Sequence, residues 1–244
     1  MTTILNDGPE LRQTVATACR VLEARGLVEG ILGHVSARVS EADLIIRCRG
    51  TEGERGLRHS AASDIWRVSL DGAKIDVPDS HSPPKELPIH SEALRHRPEF
   101  GAVIHAHPPS ALLTGLAGLR PRPVFGAFNI PAMRMALRGV PVFDRPILIT
   151  RAELALEMLE AMGDSDVCLL RGHGITVGAP TVEQATVVAV NLHTLLEVTV
   201  QLAMLNAEPP DLSPEDIAEL PDLGSAFNDQ LVWQALVAEL EDPV

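Results

Sequence analysis

The stretch VIHAHPP, residues 103–109, places two histidines one residue apart directly after an apolar run. If residues 102–107 form a strand, alternate side chains lie on the same face, so His105 and His107 point into the same space. Such a pair can chelate a metal ion, although an exposed polar strand face shows the same pattern. A metal site therefore needs a third ligand from another part of the chain.

A third ligand is available in VCLLRGHGITVGA, residues 167–179, which alternates like two strands joined at a turn. His173 lies at that turn between Gly172 and Gly174, and glycine frees the backbone there to aim the imidazole. A lone histidine is more often a hydrogen-bonded core residue. Because His173 lies between two glycines, we interpret it as a metal ligand.

The acidic residue Glu86 is a fourth candidate, because it follows a proline-rich turn at the start of the segment KELPIHSEALRHRPEF (85–100), which is predicted to be helical as far as Pro98. A carboxylate at the first turn of a helix can face a cleft. Three imidazoles and one carboxylate suit a divalent ion such as zinc, manganese or iron(II). Because no thiolate belongs to the set, an open catalytic site is favoured over a closed structural zinc site.

Composition limits the classes of partner. The 244 residues are 45% hydrophobic, which is enough for a sizeable core, and the formal charge of −13 would repel both nucleic acid and anionic membrane surfaces. The N-terminus lacks the pattern of a secretion signal, and no segment is expected to reach the length of a membrane span. Three widely spaced cysteines fit reduced thiols. We therefore expect a cytoplasmic protein acting on a small molecule.

Helical periodicity predicts a first helix over residues 9–25, ended by Gly26. The sequences TRAE (150–153) and TVEQ (181–184) are predicted to be capping boxes that open two further helices, the second running to about residue 205. Proline-rich NAEPPDLSPED (206–216) then marks a boundary. We expect a catalytic domain over residues 1–206 and an acidic helical tail over residues 207–244, capped at Ser213 and anchored mainly by Trp233.

Strands are predicted in GHVSARVS (33–40), LIIRCRG (44–50), AVIHAH (102–107) and the pair around His173, with a β-hairpin in RVSLDGAKIDV (67–77) at its Asp71-Gly72 turn. The stretch 115–146 is rich in glycine, proline and arginine, and it is either a loop over a site or an irregular connection. The alternation of helices with strands and hairpins indicates an α/β layer with a mixed or largely antiparallel sheet.

Four of these motifs together resemble the class II aldolase/adducin family over roughly residues 9–205. They are GHVSAR (33–38) in place of the usual G-N-x-S-x-R, the segment ELPIH from Glu86 to His90, AVIHAH, and LLRGHG (169–174) with its following helix. The resemblance implies a three-layer α-β-α fold with a central mixed, largely antiparallel sheet. It also implies an oligomer, usually a tetramer, and we expect the helix over 182–205 and the phenylalanine-containing loop to be buried between subunits.

The resemblance also assigns roles. The residues matching His105, His107 and His173 hold the metal in the family's enzymes, and the residue matching Glu86 either coordinates it or moves off to transfer a proton. Sugar-phosphate members bind phosphate with motifs that differ here: His34 replaces the asparagine, RCRGTEGERGLR (47–58) stands in the T-P-S-G region, and Pro84-Lys85 replaces a serine pair. Tyrosine, a common acid in those members, is absent from this chain.

These departures resemble members that decarboxylate hydroxylated aromatic dicarboxylates of the dihydroxyphthalate or hydroxypyridine dicarboxylate type, enzymes of aromatic compound catabolism. Arginine suits a carboxylate because its planar fork binds both oxygens. We therefore expect Arg49, with His34 and Ser36, to bind a substrate carboxylate, and Phe125 and Phe128 to form apolar walls for an aromatic ring.

Three functions follow from the resemblance. The first is a carbon-carbon lyase of the carboxy-lyase type, and the second is an aldolase or epimerase acting on a sugar or hydroxy acid. The third is a non-catalytic, adducin-like interaction module. Three converging imidazoles disfavour the third, and the missing tyrosine and altered phosphate motifs disfavour the second, while leaving open an aldolase with an unphosphorylated substrate.

Overall fold

A central sheet flanked by helices organises the chain in a computed structural model that describes residues 2–50 and 52–241. The strands, in chain order, are β1 (His34–Arg38), β2 (Asp43–Arg47), β3 (Arg49–Gly50), β4 (Ile65–Ser69), β5 (His81–Ser82), β6 (Ala102–Ala106), β7 (Val142–Phe143), β8 (Val167–Leu170) and β9 (Gly174–Ala179). The α-helices are α1 (Pro9–Ala24), α2 (Leu87–His96), α3 (Pro109–Leu116), α4 (Ile130–Arg138), α5 (Ala152–Met162), α6 (Val182–Met204), α7 (Pro214–Glu219) and α8 (Val232–Glu241).

Seven strands form the sheet in the order β4-β2-β1-β6-β9-β8-β7, and β3 pairs with β5 in a separate ribbon. Every pair in the large sheet is antiparallel except β7 with β8, so the mixed, largely antiparallel sheet predicted from the sequence is confirmed. The central strand β6 is paired on both sides, with His105 opposite His34 of β1 and Thr176 of β9. The H-x-H motif therefore lies at the centre of the sheet.

The two faces of the sheet carry separate apolar clusters, and β6 contributes alternate residues to each. Ala102, Ile104 and Ala106 pack with residues of α1, α4, α6 and α8. Val103 packs on the opposite face with residues of α2 and α5, and His105, two residues further along, shares that face. This alternation confirms the three-layer α-β-α arrangement.

The longest helix, α6, differs from one expectation. It has 23 residues, and an 18-residue window within it has a mean hydropathy of 1.5, so it is long and apolar enough to cross a membrane by length and composition alone, and the expectation that no segment reaches that length was wrong. Eleven of its side chains are buried within its own chain, where it packs on β6, β9 and α1. Because these eleven side chains pack into the core, α6 is a core helix on its inner side, and the burial of its remaining surface between subunits stays a prediction.

The predicted hairpin over residues 67–77 is only partly formed. The turn at Gly72 is present, with φ at 88°, and Ser69 N–H donates to Ala73 O and Ile75 N–H to Arg67 O, but the paired strands are reduced to a single bridge between Val68 and Lys74. The carboxylate of Asp76 accepts a hydrogen bond from the Arg67 N–H and pairs with Arg12 at 2.8 Å. The Asp76 carboxylate thus supplies one of the acceptors that a regular second strand would provide.

Helix starts follow the predictions in two of three places. Thr181 caps α6 by accepting a hydrogen bond from Gln184 N, and Ser213 caps α7 in the same way. The capping box at residues 150–153 was wrong: α5 starts one residue later than that motif requires, its N-cap is Arg151, and no side chain caps it.

The stretch 115–146 is more regular than its composition indicates, because it contains α4, capped by Asn129, and the short strand β7. The preceding α3 was also not predicted. Both helices carry a proline in the first turn, where a missing N–H costs nothing and the ring favours helical φ. A proline that begins a helix resembles one that interrupts it when only composition is considered.

The chain after residue 206 forms α7, a π-helical segment (Ala226–Leu231) and α8, and α8 packs on α1 and α6. Leu236 is the buried residue of this segment, and Trp233 is only partly buried. Leu236 therefore joins Trp233 in holding the tail on the core, because both side chains pack against the same apolar cluster. Residues 242–244 of the expected tail lie outside the described residues.

Candidate metal centre

Four side chains from separate parts of the sequence converge above one end of the sheet. Glu86 is the N-cap residue of α2, His105 lies on β6, His107 directly follows that strand, and His173 lies in the turn between β8 and β9. Each offers a ligand atom, and these atoms all lie within 4.8 Å of one another. We call these four residues the quartet.

The distances within the quartet fit a bound divalent ion. Oε2 of Glu86 lies 3.5 Å from His105 Nε2 and 3.6 Å from His173 Nε2. Ligand atoms each about 2.1 Å from a tetrahedral ion are themselves about 3.4 Å apart. Nε2 of His107 lies 2.7 Å from His105 Nε2, so this ring would move back slightly to make room.

Backbone groups orient two members of the quartet. The Ile175 carbonyl lies 3.0 Å from His105 Nδ1 and accepts a hydrogen bond from it, which leaves Nε2 free to bind a metal. The Ile149 N–H donates to Oε1 of Glu86 at 2.9 Å and leaves Oε2 facing the imidazoles. Among the described residues neither ring nitrogen of His173 has a hydrogen-bond partner, although both are buried. A metal ion would satisfy one of them.

The charges of the quartet suit a cation. Burial lowers the pKa of His105, and burial with the neighbouring His105 lowers the pKa of His107 to about 3, so both rings are neutral at pH 7. Burial raises the pKa of Glu86, but the imidazoles of His105 and His173 lower it by more and hold it well below its usual range. Neutral imidazole and ionised carboxylate are the forms that bind a metal.

Glycines at residues 172 and 174 allow the close approach of the His173 turn. Gly172 has a φ of 68°, in the left-handed region that favours glycine. A Cβ atom at Gly174 would lie 2.2 Å from the Ala106 carbonyl oxygen and 2.8 Å from His107 Cδ2. Glycine at 174 therefore lets one ligand-bearing turn pack directly against the strand that carries the other two histidines.

Two of the expected substrate-binding residues lie beside the quartet. The His34 ring stacks on that of His105, with 5.7 Å between ring centroids. Arg49 Nη2 lies 3.2 Å from His34 Nε2 and also donates to the Ile31 carbonyl at 2.5 Å. A cationic fork and an imidazole therefore border the position that a metal would occupy.

The sequence as a whole matches a known family. Residues 13–200 match the family described as Class II Aldolase and Adducin N-terminal domain. The chain belongs to the class II aldolase and adducin family. The motifs from GHVSAR to LLRGHG thus identified the family correctly.

Relatives and solved structures within the family agree with this assignment. The chain is 49% identical to a 3,4-dihydroxyphthalate decarboxylase of Arthrobacter keyseri, covering 94% of this chain and 93% of that protein. It is 47% identical to a protein of the same name from Terrabacter sp. (strain DBF63), covering 94% of this chain and 96% of that protein. An aldolase II superfamily protein from Pseudomonas syringae superposes with a TM-score of 0.80 at 22% identity, covering 98% and 94%, a likeness that shows the fold alone.

Other expected site residues of this class II aldolase family member lie elsewhere. Ser36 is fully buried, and its hydroxyl lies 2.8 Å from His90 Nδ1, so it has no surface to offer a substrate. In the basic segment 47–58, described except for residue 51, Arg47 is paired with Glu54, and Arg58 lies against α1. Arg49 is the residue of this segment that contacts His34.

Phe125 and Phe128 do not border the quartet in this chain. Their rings pack edge to face at 5.7 Å, and Phe128 lines a groove with Val190 and Phe227 that includes no quartet residue. The loop that carries them folds onto α6 and the C-terminal segment, so the expected aromatic walls are not formed by these residues within one chain.

The apolar side chains next to the quartet are ones that the sequence interpretation missed. Leu116 and Pro146 lie beside Gly172, one residue from His173. Leu112, Leu113 and Leu116 of α3 are 39%, 48% and 61% exposed. The backbone partners of the quartet were also missed, because a main-chain N–H or C=O leaves no signal in residue type.

Proposed function

We propose that this protein is a metal-dependent decarboxylase of a hydroxylated aromatic dicarboxylate of the dihydroxyphthalate type, and therefore a carboxy-lyase. The observation that carries the proposal is 44–49% identity, over 93–94% of the chain, to three proteins named 3,4-dihydroxyphthalate decarboxylase. The quartet supports it with a donor set of the right chemistry.

The proposed reaction breaks the bond between a ring carbon and a carboxylate. The electron pair of that bond stays on the ring carbon, carbon dioxide leaves, and one proton is added at the same carbon. Held by Glu86, His105, His107 and His173, a divalent ion such as zinc, manganese or iron(II) would polarise a neighbouring substrate oxygen and stabilise the excess electron density.

The remaining tasks fall to side chains of this chain. Arg49 and His34 would bind a substrate carboxylate, since the guanidinium donates two parallel hydrogen bonds and the imidazole lies at hydrogen-bond distance from it. Glu86 is ionised, with Oε2 toward the cleft, and once it has moved off the metal and away from the imidazoles that hold its pKa low, it would accept a proton from a substrate hydroxyl and return that proton to the ring carbon. Tyrosine is absent from all 244 residues, so no phenol serves as the acid.

An aldolase is the second candidate because the same donor set serves both reactions. A 5-methylthioribulose-1-phosphate/5-deoxyribulose-1-phosphate aldolase of Rhodospirillum rubrum is 28% identical over 86% of this chain and 88% of that protein. Retro-aldol cleavage also leaves a carbanion beside an oxygen. The lower identity, Pro84-Lys85 in place of a serine pair and the missing tyrosine favour the decarboxylase. An adducin-like binding module would have no use for the quartet.

To test this proposal, the purified protein is loaded with zinc, manganese or iron(II) and assayed with 3,4-dihydroxyphthalate and, separately, with L-fuculose 1-phosphate. We expect carbon dioxide from the aromatic acid and no aldehyde from the sugar phosphate. Aldehyde without carbon dioxide would replace the decarboxylase with the aldolase. Activity toward neither substrate with each metal bound would contradict both.

For assembly and location, we propose a homotetramer in the cytoplasm. Exposed leucines on α3, beside the quartet, support a covered surface there. The three cysteines, Cys19, Cys48 and Cys168, are free and buried, which is consistent with a reducing compartment.

A further inference from the structure

Two rows of polar groups face each other across β1 and α2. Along the strand, His34, Ser36 and Arg38 share the face toward the helix, because side chains two residues apart point the same way. Along the helix, Glu86 and His90 lie one turn apart. Two strand residues advance about 6.6 Å and four helical residues about 6 Å, so the two rows stay in register.

The rows are joined by hydrogen bonds that are closed to solvent. Ser36 Oγ lies 2.8 Å from His90 Nδ1, and both residues are fully buried. One step further along, Arg38 donates to the carbonyls of Leu94 and Arg97 at the end of α2, and to Phe100 O at 3.2 Å. Arg38 thus holds the final turn of α2 against β1, and Ser36 holds the middle of the helix against the same strand.

The first turn of α2 carries the metal-binding carboxylate. Glu86 is the N-cap residue, its own side chain caps nothing, and its two oxygens face Ile149 N–H and the imidazoles. His90 is the next residue of α2 on the same side of the helix. Because the two residues share one side of α2, the distance between His90 and β1 affects how far the Glu86 carboxylate extends toward the three metal-binding histidines.

We infer that the Ser36–His90 pair is a positioning device that sets the place of the Glu86 carboxylate in the metal site. Neither residue touches a metal or substrate, so both act through Glu86. The inference rests on the metal site of the proposed function, but not on the decarboxylation itself.

One competing arrangement uses the other nitrogen of His90. Among the described residues, His90 Nε2 and His34 Nδ1 are both buried without a hydrogen-bond partner, and the two ring centroids are 5.7 Å apart. If His90 acted through Nε2, it would orient His34 by way of a buried water, and Ser36 would matter little.

Two amide variants separate these arrangements. In His90→Asn the side-chain amide stands where Nδ1 stood and can still bond Ser36, whereas in His90→Gln it reaches only the position of Nε2. Cobalt(II) is the probe, since its visible spectrum reports coordination geometry and its affinity is measured by competition with a chelator. Ser36→Ala removes the partner hydroxyl, and Ser36→Thr retains it.

We expect His90→Gln and Ser36→Ala to bind cobalt(II) about 10- to 100-fold more weakly, the usual effect of losing a partner behind a metal ligand, with an altered spectrum. The cobalt(II) affinities of His90→Asn and Ser36→Thr should stay within about threefold of the wild-type affinity. The double variant with His90→Gln and Ser36→Ala should bind cobalt(II) no more weakly than either single variant, because both substitutions remove the same contact.

Thr186→Val is the matched control, since it removes another buried hydroxyl, on α6 across the sheet. It should lower Tm without changing the cobalt spectrum. If Ser36→Ala behaves like this control, the pair is only structural and the inference is overturned. If His90→Gln keeps the wild-type cobalt(II) affinity and His90→Asn loses it, the inference is overturned, and His90 acts through His34 instead. A wild type that binds cobalt but decarboxylates nothing would refute the proposed reaction and leave this inference standing.

Discussion

At the scale of single residues, the site is a set of buried groups held in the protonation states that a cation requires. His105 donates through Nδ1 to a backbone carbonyl, and Glu86 accepts from a backbone N–H, so each presents its remaining atom to the same space. Next to them Arg49 brings a positive charge against His34. One part of the cleft thus suits a metal and another part a carboxylate.

Replacing His107 with Ala should strip the metal. A site with three histidines and one carboxylate loses a quarter of its donors, and water must fill the gap. We expect less than one tenth of the wild-type metal content by elemental analysis after dialysis, and the same for His105→Ala and His173→Ala. His59→Ala, on an exposed 3-10 turn, is the control and should keep its metal. Full occupancy in all three ligand variants would refute the metal site.

Glu86→Gln should keep the shape of the side chain and remove its negative charge. Turnover of 3,4-dihydroxyphthalate is expected to fall by about a hundredfold or more, the scale of a lost general acid-base group. Metal content, measured on the same sample, separates lost chemistry from lost metal. A variant that retains its metal and turns over at the wild-type rate would mean that Glu86 transfers no proton.

Arg49→Ala should chiefly weaken substrate binding, so that KM rises while kcat changes little, as expected when an interaction present in both ground and transition states is lost. Arg49→Lys keeps the charge but not the planar fork, and it should recover only part of the affinity. Arg58→Ala serves as the control because Arg58 lies against α1. Steady-state kinetics decide the matter: an unchanged KM in Arg49→Ala would remove Arg49 from the substrate site.

At the scale of elements, the metal centre depends on how closely the β8–β9 turn packs on the end of β6. His173 is brought to the other ligands because Gly174 has no side chain where Ala106 O and His107 Cδ2 approach. The N-cap position of α2 contributes Glu86 to the same point. Three elements therefore meet at the site, and none of them holds it alone.

Gly174→Ala should destabilise the fold by about 1–3 kcal/mol or more, because the new methyl group overlaps the Ala106 carbonyl oxygen. It should also weaken metal binding by displacing His107. The free energy of unfolding from urea titration and the metal content are the two measurements. Gly8→Ala, at a φ of −137° with no atom within 4 Å of the added Cβ, is the comparison variant; because Ala is a poorer N-cap than Gly, it should cost no more than about 1 kcal/mol and leave the metal content unchanged. Equal stabilities for the two variants would contradict the packing argument.

At the scale of the whole molecule, an apolar surface lies beside the candidate site. Leu112, Leu113 and Leu116 expose much of their side chains on α3, next to the turn that carries His173. The helix α6, by contrast, buries eleven of its 23 side chains within its own chain. A second copy that packs on α3 would bury this surface and narrow the mouth of the cleft.

We therefore expect a tetramer of four 26.2 kDa protomers by light scattering. Placing glutamate at Leu113 and Leu116 together should lower the measured mass, because burying two carboxylates in an apolar contact is unfavourable. Leu231→Glu, at an exposed leucine before α8, is the comparison variant and should leave the mass unchanged. A wild type of monomer mass at working concentration would refute the assembly.

Much of the fold was predictable because it depends on short-range patterns. The 3.6-residue period identified α1, the capping residue Thr181 identified the start of α6, and the alternating pattern identified the strands on either side of His173. Predictions failed where a side chain or a proline competed with the pattern: the Asp76 carboxylate took the place of one backbone acceptor in the hairpin, and prolines concealed the starts of α3 and α4.

The sequence by itself determined the composition of the candidate metal site, because the spacing of His105 and His107 and the glycines around His173 act through the local backbone. Only the tertiary structure decided what surrounds these residues. The antiparallel pairing of β1 with β6 put His34 opposite His105, and the packing of α2 buried Ser36 against His90. Those contacts join residues 54 to 71 positions apart, and such distances are set by the closing of the whole sheet, which no short pattern contains.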